Sequence, residues 1–466
     1  MRIFGIPYTP RQLHSALGDM LVALVVVYLT HAAVSALGAD PPGFGVWNAL
    51  SPCLLVGSTL IALYVMDAYN SSLDFRRMRQ LLRLWTAVVL AMLFQCAIYA
   101  VVPAGSWGRD LSGLTALGLV VLLPAWRAAL GQLSPRPPFR VKTLVIGTGR
   151  AAHQFVAAVR AHPDHDRVYD VAGFVDHPRG EGLQVAPSAP LLGTAAELEA
   201  VVSAHGIELI VVALPGDASS EIARQLLACK ARGVRIEDMP TIYTRLMGKV
   251  PILHLPERWL IFGPEFVGTR RLAAAAFRLA DIVIGLVGVV LSAPVVAIAA
   301  AAVRLESKGP AFYLQERLGQ GERPFAIIKL RTMRQDAEAS SGAVWSQGSG
   351  DPRVTRVGRF LRRSRIDELP QFYNVLRGDM SIVGPRPERE HFVRQLKERI
   401  PFYALRFSVK PGVTGWAQVE YRYGATDEDA AEKLCYELYA IQEMSPALYG
   451  LILLKTVQTV LLRPGS

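Results

Sequence analysis

Two adjacent carboxylates, Asp367 and Glu368, stand just downstream of a run of arginines, Arg353, Arg356, Arg359, Arg362, Arg363 and Arg365. Pro370 follows, and proline is favoured in the first turn of a helix, so the pair is expected at a helix N-terminus. There the free N–H groups and aligned peptide dipoles favour anions, which keeps an aspartate ionised and draws a phosphate toward it. Upstream, AIIKLRTM sets Lys329 and Arg331 two apart, on one face if the segment is a strand. Downstream, GPRPE holds Arg386 between two prolines that stiffen the loop presenting it. Phosphoryl transfer asks mainly for charge neutralisation and alignment. Arginines supply the first, and a divalent ion bridging phosphates to a carboxylate supplies more. A carboxylate can also attack phosphorus and form an acyl phosphate, splitting one transfer into two. Spacing alone leaves a plainer reading open. Asp-Glu is ordinary decoration of a helix start, and an arginine run is usually a solvated or lipid-facing surface.

A second candidate for chemistry lies earlier. Gly147-Thr148-Gly149-Arg150-Ala151-Ala152 follows an apolar strand and opens an amphipathic helix, and Asp176 ends the next strand, where a ribose-binding acid would sit. That is the context of a dinucleotide fingerprint, with Ala in its third position. The alternative is a tight turn kept for packing that binds nothing. An NAD-dependent sugar-nucleotide epimerase or dehydratase built on this turn should carry Tyr-x-x-x-Lys, and no lysine here has a tyrosine four residues before it.

The elements that must position these residues change character along the chain. Apolar stretches from Leu13 to Leu37, Val46 to Met66, Leu81 to Val102 and Leu111 to Leu130 fill the first part. Each approaches the ~20 residues that cross ~30 Å of hydrocarbon. The second connector carries Arg76, Arg77, Arg79 and Arg83 and the segment after the fourth stretch is again basic, so the positive-inside rule puts both ends of this bundle in the cytoplasm. The first stretch lacks a nearby small-residue cleavage site and reads as a retained helix. SPRPP at 134–138 reads as a linker. Strands and helices then alternate to about 265, which implies a parallel sheet with helices on its faces. A fifth apolar run, Ile282 to Val303, has basic flanks on both sides and Pro294 near its middle. The last segment, SPALYGLILLKTVQTVLL, is apolar but interrupted by Lys455, as in a helix lying at a membrane surface.

Composition agrees. The 466 residues are 51% hydrophobic and 19% charged, against about 25% charged in an ordinary soluble protein. The net charge of +11 suits anionic headgroups or phosphorylated substrates. No zinc-finger or RNA-binding signature accompanies it, so nucleic acid is not the expected partner. Four cysteines without a C-x-x-C pair argue against a disulfide framework or a zinc site. The chain reads as an α plus α/β membrane protein. A four-helix transmembrane bundle occupies 1–133 and a Rossmann-like parallel α/β domain 139–265. A re-entrant membrane helix with a small α/β catalytic domain occupies 270–466.

From Arg278 onward the sequence resembles the bacterial sugar transferases, the polyprenyl-phosphate hexose-1-phosphate transferases. The resemblance is carried in register by FRLADIVIG, YLQERLG, FAIIKLRTM, DPRVTRVGRFLRRSRIDELPQFYNVLRGDMSIVGPRPE and VKPGVTGWAQVEYRYGA. The bundle and Rossmann-like domain resemble the larger members that prime exopolysaccharide synthesis, and YRYGATDEDAAEKLCYELY resembles the subgroup found with PEP-CTERM systems. The resemblance implies transfer of a sugar-1-phosphate from a UDP-sugar to polyprenyl (undecaprenyl) phosphate with release of UMP. It makes Asp367 the nucleophile and Glu368 a magnesium ligand, with Lys329, Arg331 and Arg386 meeting the phosphates. It implies a multi-pass protein of the bacterial inner membrane with its catalytic domain on the cytoplasmic face, and leaves room for a homodimer. The family usually breaks its membrane helix at Ser-Pro; here the order is Ser292-Ala293-Pro294, with the serine displaced by one. A full crossing would carry Asp367 outside the cell, where UDP-sugars are not made, so the fifth run is expected to return to the side it entered. All the implied transfer residues lie after Arg278, which makes the Rossmann-like domain dispensable for chemistry. The sugar is not legible.

Overall fold

The computed structural model describes residues 2–3, 6–7, 10–36, 46–65, 78–101, 107–133, 140–162, 169–176, 189–214, 219–256, 259, 271–334, 351, 353–421, 424 and 426–462. The basic connector at Arg76 and Arg77 and the 134–138 linker lie outside the described residues. The chain divides into two compact units, one spanning residues 8–139 and the other 140–466.

The first unit is helical: α1 (Pro10–Ala36), α2 (Val46–Val65), α3 (Met78–Val101) and α4 (Trp107–Leu133). They pack around Val26, Leu63, Ala87, Leu119 and Leu123. Their outer faces are apolar as well, with Tyr28, Leu93, Leu117 and Val121 exposed. A helix apolar on all sides suits an apolar surrounding rather than water. Inside this unit Arg127 donates to Asp19 through Nε (3.2 Å) and Nη2 (2.5 Å), both side chains being buried.

The second unit opens with a five-stranded parallel sheet. Strands β1 (Val141–Ile146), β2 (Tyr169–Asp176), β3 (Leu191–Thr194), β4 (Leu209–Val212) and β5 (Arg235–Asp238) stand in the order β3-β2-β1-β4-β5. Helices α5 (Arg150–Ala161), α6 (Leu198–His205), α7 (Ser220–Ala231) and α8 (Met239–Met247) connect or follow them. Alternation along the strands divides the core in two. Val145, Phe174 and Val211 face Phe155 and Ile242, while Leu144, Ile146 and Ile210 face Leu198 and Ile222. Burial on both faces is what a parallel sheet needs. This is the α/β domain expected from the strand–helix alternation.

Beyond it runs α9, Arg271–Glu306, assigned as helix without interruption through Pro294. Among the described residues its Ala274–Glu306 stretch is the one helix long and apolar enough to cross a membrane; the apolar stretches described in α1–α4 are shorter. Proline has no N–H for the carbonyl of Val290, four residues back; Ser292 Oγ donates to a different carbonyl, Val289 O, at 3.5 Å. The two sides of α9 differ. Leu279, Val283, Leu286, Val290 and Ile298 are exposed. The final domain is met toward the two ends, by Asp281, Gly285 and Gly288 in the first half and by Ala299 and Val303 in the second.

That domain holds an antiparallel hairpin, β6 (Phe312–Leu318) with β7 (Pro324–Leu330), and a short parallel pair, β8 (Ser381–Val383) with β9 (Gly412–Thr414). Its helices are α10 (Arg356–Arg363), α11 (Gln371–Arg377), α12 (Glu390–Arg399), α13 (Trp416–Glu420), α14 (Asp427–Glu443) and α15 (Pro446–Leu462). Helix α15 turns Leu448 and Ile452 inward, while Val457 and Val460 stay exposed. Its Lys455 is paired with Glu420 and lies 4.9 Å from the centre of the Trp416 ring.

Candidate active site

Helix α9 is the base on which the site is assembled. Near its start, Asp281 is buried and accepts hydrogen bonds from Ser381 Oγ (3.0 Å), the Ile382 amide (2.9 Å) and the Tyr449 hydroxyl (2.9 Å). Arg278 donates to Val375 O (2.7 Å) and Leu376 O (2.9 Å) at the C-terminal end of α11, where helix carbonyls outnumber the amides that can reach them. Gly288 lets Phe372 of α11 approach: a Cβ there would stand 2.7 Å from its ring. Near the end of α9, Ala299 and Val303 pack with Leu330 and Leu361. Glu306 accepts the Arg356 amide at 2.8 Å and the Val357 amide at 3.1 Å, capping α10 from outside. Thr355 caps it from within through the Gly358 amide (2.9 Å). Gly358 itself sits against the backbone of Thr332; a Cβ would fall 2.0 Å from that carbonyl oxygen.

The carboxylate pair follows α10. Arg365 turns the chain through a left-handed conformation (φ +58), and Ile366–Glu368 form a single 3₁₀ turn. Pro370 is then the N-cap of α11. The pair thus sits in a turn just ahead of the helix and not inside its first turn. Asn374 fixes this arrangement against β7. It is fully buried, accepts the Ile328 amide (3.0 Å) and donates to Ala326 O (2.8 Å).

With α11 docked there, Glu368 Oε1 accepts from Lys329 Nζ at 3.0 Å and from Arg386 Nη2 at 2.6 Å. Burial alone would raise the Glu368 carboxyl, but the Arg386 guanidinium and Lys329 ammonium outweigh it and hold it well below the usual carboxylate range. Asp367 is different. It is 9% exposed, and among the described residues no hydrogen bond or ion pair satisfies its carboxylate. Burial, then repulsion from Glu368, pushes its pKa up to about 6, against the opposing pull of Lys329, Arg362 and Arg386. One carboxylate is neutralised and anchored; its neighbour is left without a partner.

The structure therefore brings Lys329, Asp367, Glu368 and Arg386 together. It does not bring Arg331 to them. Strand β7 ends at Leu330, so the same-face rule does not reach Arg331. Its guanidinium is buried and donates to Lys308 O (2.5 Å), Ser307 O (2.8 Å) and Ser307 Oγ (3.0 Å), tying the chain after β7 to the chain after α9. Ser292 and Pro294 stay within the run of α9. At the glycine turn, Gly147 has φ +109, and a Cβ would meet Ala213 O at 2.7 Å, so close strand packing alone requires glycine there. Gly149 is the N-cap of α5 with an ordinary negative φ. Asp176 Oδ1 accepts from Thr148 Oγ1 at 2.8 Å, within the turn itself. Asn374, Arg278 and Asp281 escape a reading by residue type, because a buried amide or ion in a core looks like any other until its partners are known.

Comparison with known proteins decides the family. A model of the bacterial sugar transferase family matches residues 272–463, and a model of a CoA-binding domain family matches residues 64–240. The UDP-glucose:undecaprenyl-phosphate glucose-1-phosphate transferase of Escherichia coli (strain K12) is 33% identical over 342 residues, 71% of this chain and 70% of that protein. The chain belongs to the bacterial sugar transferase family. Another relative is the UDP-glucose:undecaprenyl-phosphate glucose-1-phosphate transferase of Caulobacter vibrioides. It is 45% identical over 188 residues, 40% of this chain and 69% of that protein. The UDP-N-acetylgalactosamine-undecaprenyl-phosphate N-acetylgalactosaminephosphotransferase of Aeromonas hydrophila is 41% identical over 253 residues, 54% of this chain; the match spans 58% of that relative's length. The sugar transferase match runs from the first turn of α9 to the end of α15 and contains every residue of the carboxylate cluster.

Proposed function

We propose that this chain transfers a sugar-1-phosphate from a UDP-sugar to undecaprenyl phosphate, with release of UMP, as the first membrane step of exopolysaccharide synthesis. The observation that carries the reading is the buried Asp367 carboxylate without a partner, beside a Glu368 neutralised by Lys329 and Arg386. An Asp367 oxygen attacks the sugar-bearing phosphorus, the phosphoanhydride bond to UMP breaks, and UMP leaves with the electron pair. An oxygen of the lipid phosphate then attacks the same phosphorus, breaks the acyl phosphate bond and restores the carboxylate. Arg386 and Lys329 neutralise and align the diphosphate. Asp367 and Glu368 offer hard oxygen donors that fit magnesium, and no cluster of three or more ligating side chains occurs among the described residues, so substrate phosphates and water would complete its shell. Bound there, the ion supplies charge neutralisation on the phosphates.

In this reading α1–α4 are a transmembrane bundle of the inner membrane, supported by their apolar outer faces, and α9 dips into lipid with the site on the cytoplasmic side. The test uses purified protein without lipid acceptor. Label should exchange between UMP and UDP-sugar, and Asp367→Asn should abolish both exchange and transfer. Product formed by Asp367→Asn near the parent rate would overturn the covalent step and leave a direct displacement.

A further inference from the structure

We infer that Arg406, held by Glu437, is a positioning residue that sets Arg386 against the catalytic carboxylates; the inference rests on the transfer reaction proposed above. Both side chains are buried, 5% and 7% exposed. Arg406 donates to Glu437 through Nε (2.9 Å) and Nη2 (2.8 Å), in the two-pronged geometry that fixes a guanidinium plane. The same Nη2 donates to the carbonyl of Arg386 at 2.8 Å, and Nη1 donates to the Tyr403 hydroxyl at 2.5 Å. A buried ion pair is a poor source of stability, since apolar residues of similar volume often do as well. What an apolar pair could not do is hold that carbonyl.

The loop has particular need of such a hold. Pro385 and Pro387 lack N–H groups, so the segment cannot be secured by an ordinary ladder. It is fixed by its carbonyls instead: Pro385 O accepts from the Gly412 amide (2.8 Å), Pro387 O from Arg317 Nη1 (3.1 Å) and Arg386 O from Arg406. The carbonyl of Arg386 sets the backbone rotation that aims its own side chain at Glu368. Glu437 lies within α14, a 17-residue helix, so the orientation is referred to a rigid element rather than to another loop.

A double-mutant cycle on UMP release tests this. Arg406→Lys keeps the charge but cannot make the fork. It should lower kcat/KM about tenfold, mostly through kcat, and add less than about twofold when Arg386 is already alanine. Equal losses in both backgrounds overturn the inference, because Arg406 would then not act through Arg386. If Arg406→Lys does not fold, Glu437→Gln, which preserves shape, is carried through the same cycle. A second measurement is independent of activity. In the full chain, hydrogen exchange at the amides of Gly384, Arg386 and Glu388 should quicken at least about tenfold in Glu437→Gln, while the amides of β7 keep the parent rate. Unchanged exchange in the loop also overturns it. A parent enzyme that releases no UMP refutes the transfer reaction, and the exchange result still decides whether Glu437 and Arg406 hold the loop.

Discussion

At Asp367 the same feature serves reaction and costs stability. A carboxyl raised from 3.8 to about 6 keeps its proton longer in the folded chain than in the unfolded one. Below about pH 4 both states are protonated and folding is little affected; between about pH 4 and 6 the unfolded chain ionises while the folded one keeps its proton, so stability falls through that window and levels off above it. Asp367→Asn should therefore unfold later than the parent at pH 8, by on the order of 2 kcal/mol, and identically near pH 4. Thermal unfolding in detergent with a chelator present measures it. A variant less stable than the parent at pH 8 would contradict a desolvated, unpartnered aspartate. Arg331 gives the opposite profile. Its three hydrogen bonds to residues 307 and 308 make it a structural tie, so Arg331→Lys should cost about 1–3 kcal/mol of stability. Its KM for UDP-sugar should stay within about twofold of the parent, since uniform binding is not touched. A large rise in KM with unchanged melting would return Arg331 to the phosphates.

Among the elements, Asp367, Glu368, Lys329 and Arg386 stand out by residue type, but spacing alone fits an ordinary helix start and a solvated basic face equally well, and it is the family resemblance that joins them. The structure brings the four side chains together. What was not legible is where elements stop. Extending β7 through Arg331 makes it a partner of Lys329; the strand ends one residue earlier, and the side chain turns to other carbonyls. The left-handed Arg365 likewise moves the carboxylates out of the helix into a turn, and nothing in a non-glycine residue announces a positive φ. Helix α9 shows what packing adds to a hydropathy pattern. Its first half is bound to the end of α11 through Arg278 and to β8 through Asp281, and its second half to α10 through Glu306 and Val303. One domain on one side of a membrane cannot hold both halves of a helix that crosses to the other side. Single cysteines in place of Arg271 and Lys308 should thus show the same reactivity from the cytoplasmic face and none from the outer face of intact cells. Opposite labelling would establish a crossing.

In the molecule as a whole, the parallel sheet and the transferase domain belong to one compact unit, 140–466, joined by a strap just after α8. Gly248, in a left-handed conformation, offers its carbonyl to Trp416 Nε1 at 2.8 Å. Lys249 pairs with Glu432 and lies 5.5 Å from the centre of the Tyr436 ring. The Val250 amide donates to Cys435 O at 2.9 Å. Val250 and Ile252 are 0% and 2% exposed, so the strap also covers apolar surface. The residues expected to carry the reaction all lie beyond Arg278, which argues that the sheet is not needed for chemistry; the strap shows that the cut must be chosen with care. Removing it exposes Trp416 and Cys435 and loses the burial of two aliphatic side chains, each worth about 1.5–3 kcal/mol. A chain beginning at Gly248 should keep turnover in detergent or lipid. One beginning at Arg271 should melt on the order of 10 °C lower, at 2–4 °C for each kcal/mol lost in a domain of this size, and lose activity in step with its folded fraction. The comparison separates two roles that a single truncation would confuse. If the chain from Gly248 folds but releases no UMP, the sheet takes part in the reaction. If both chains melt together, the strap is not what joins the sheet to the transferase domain.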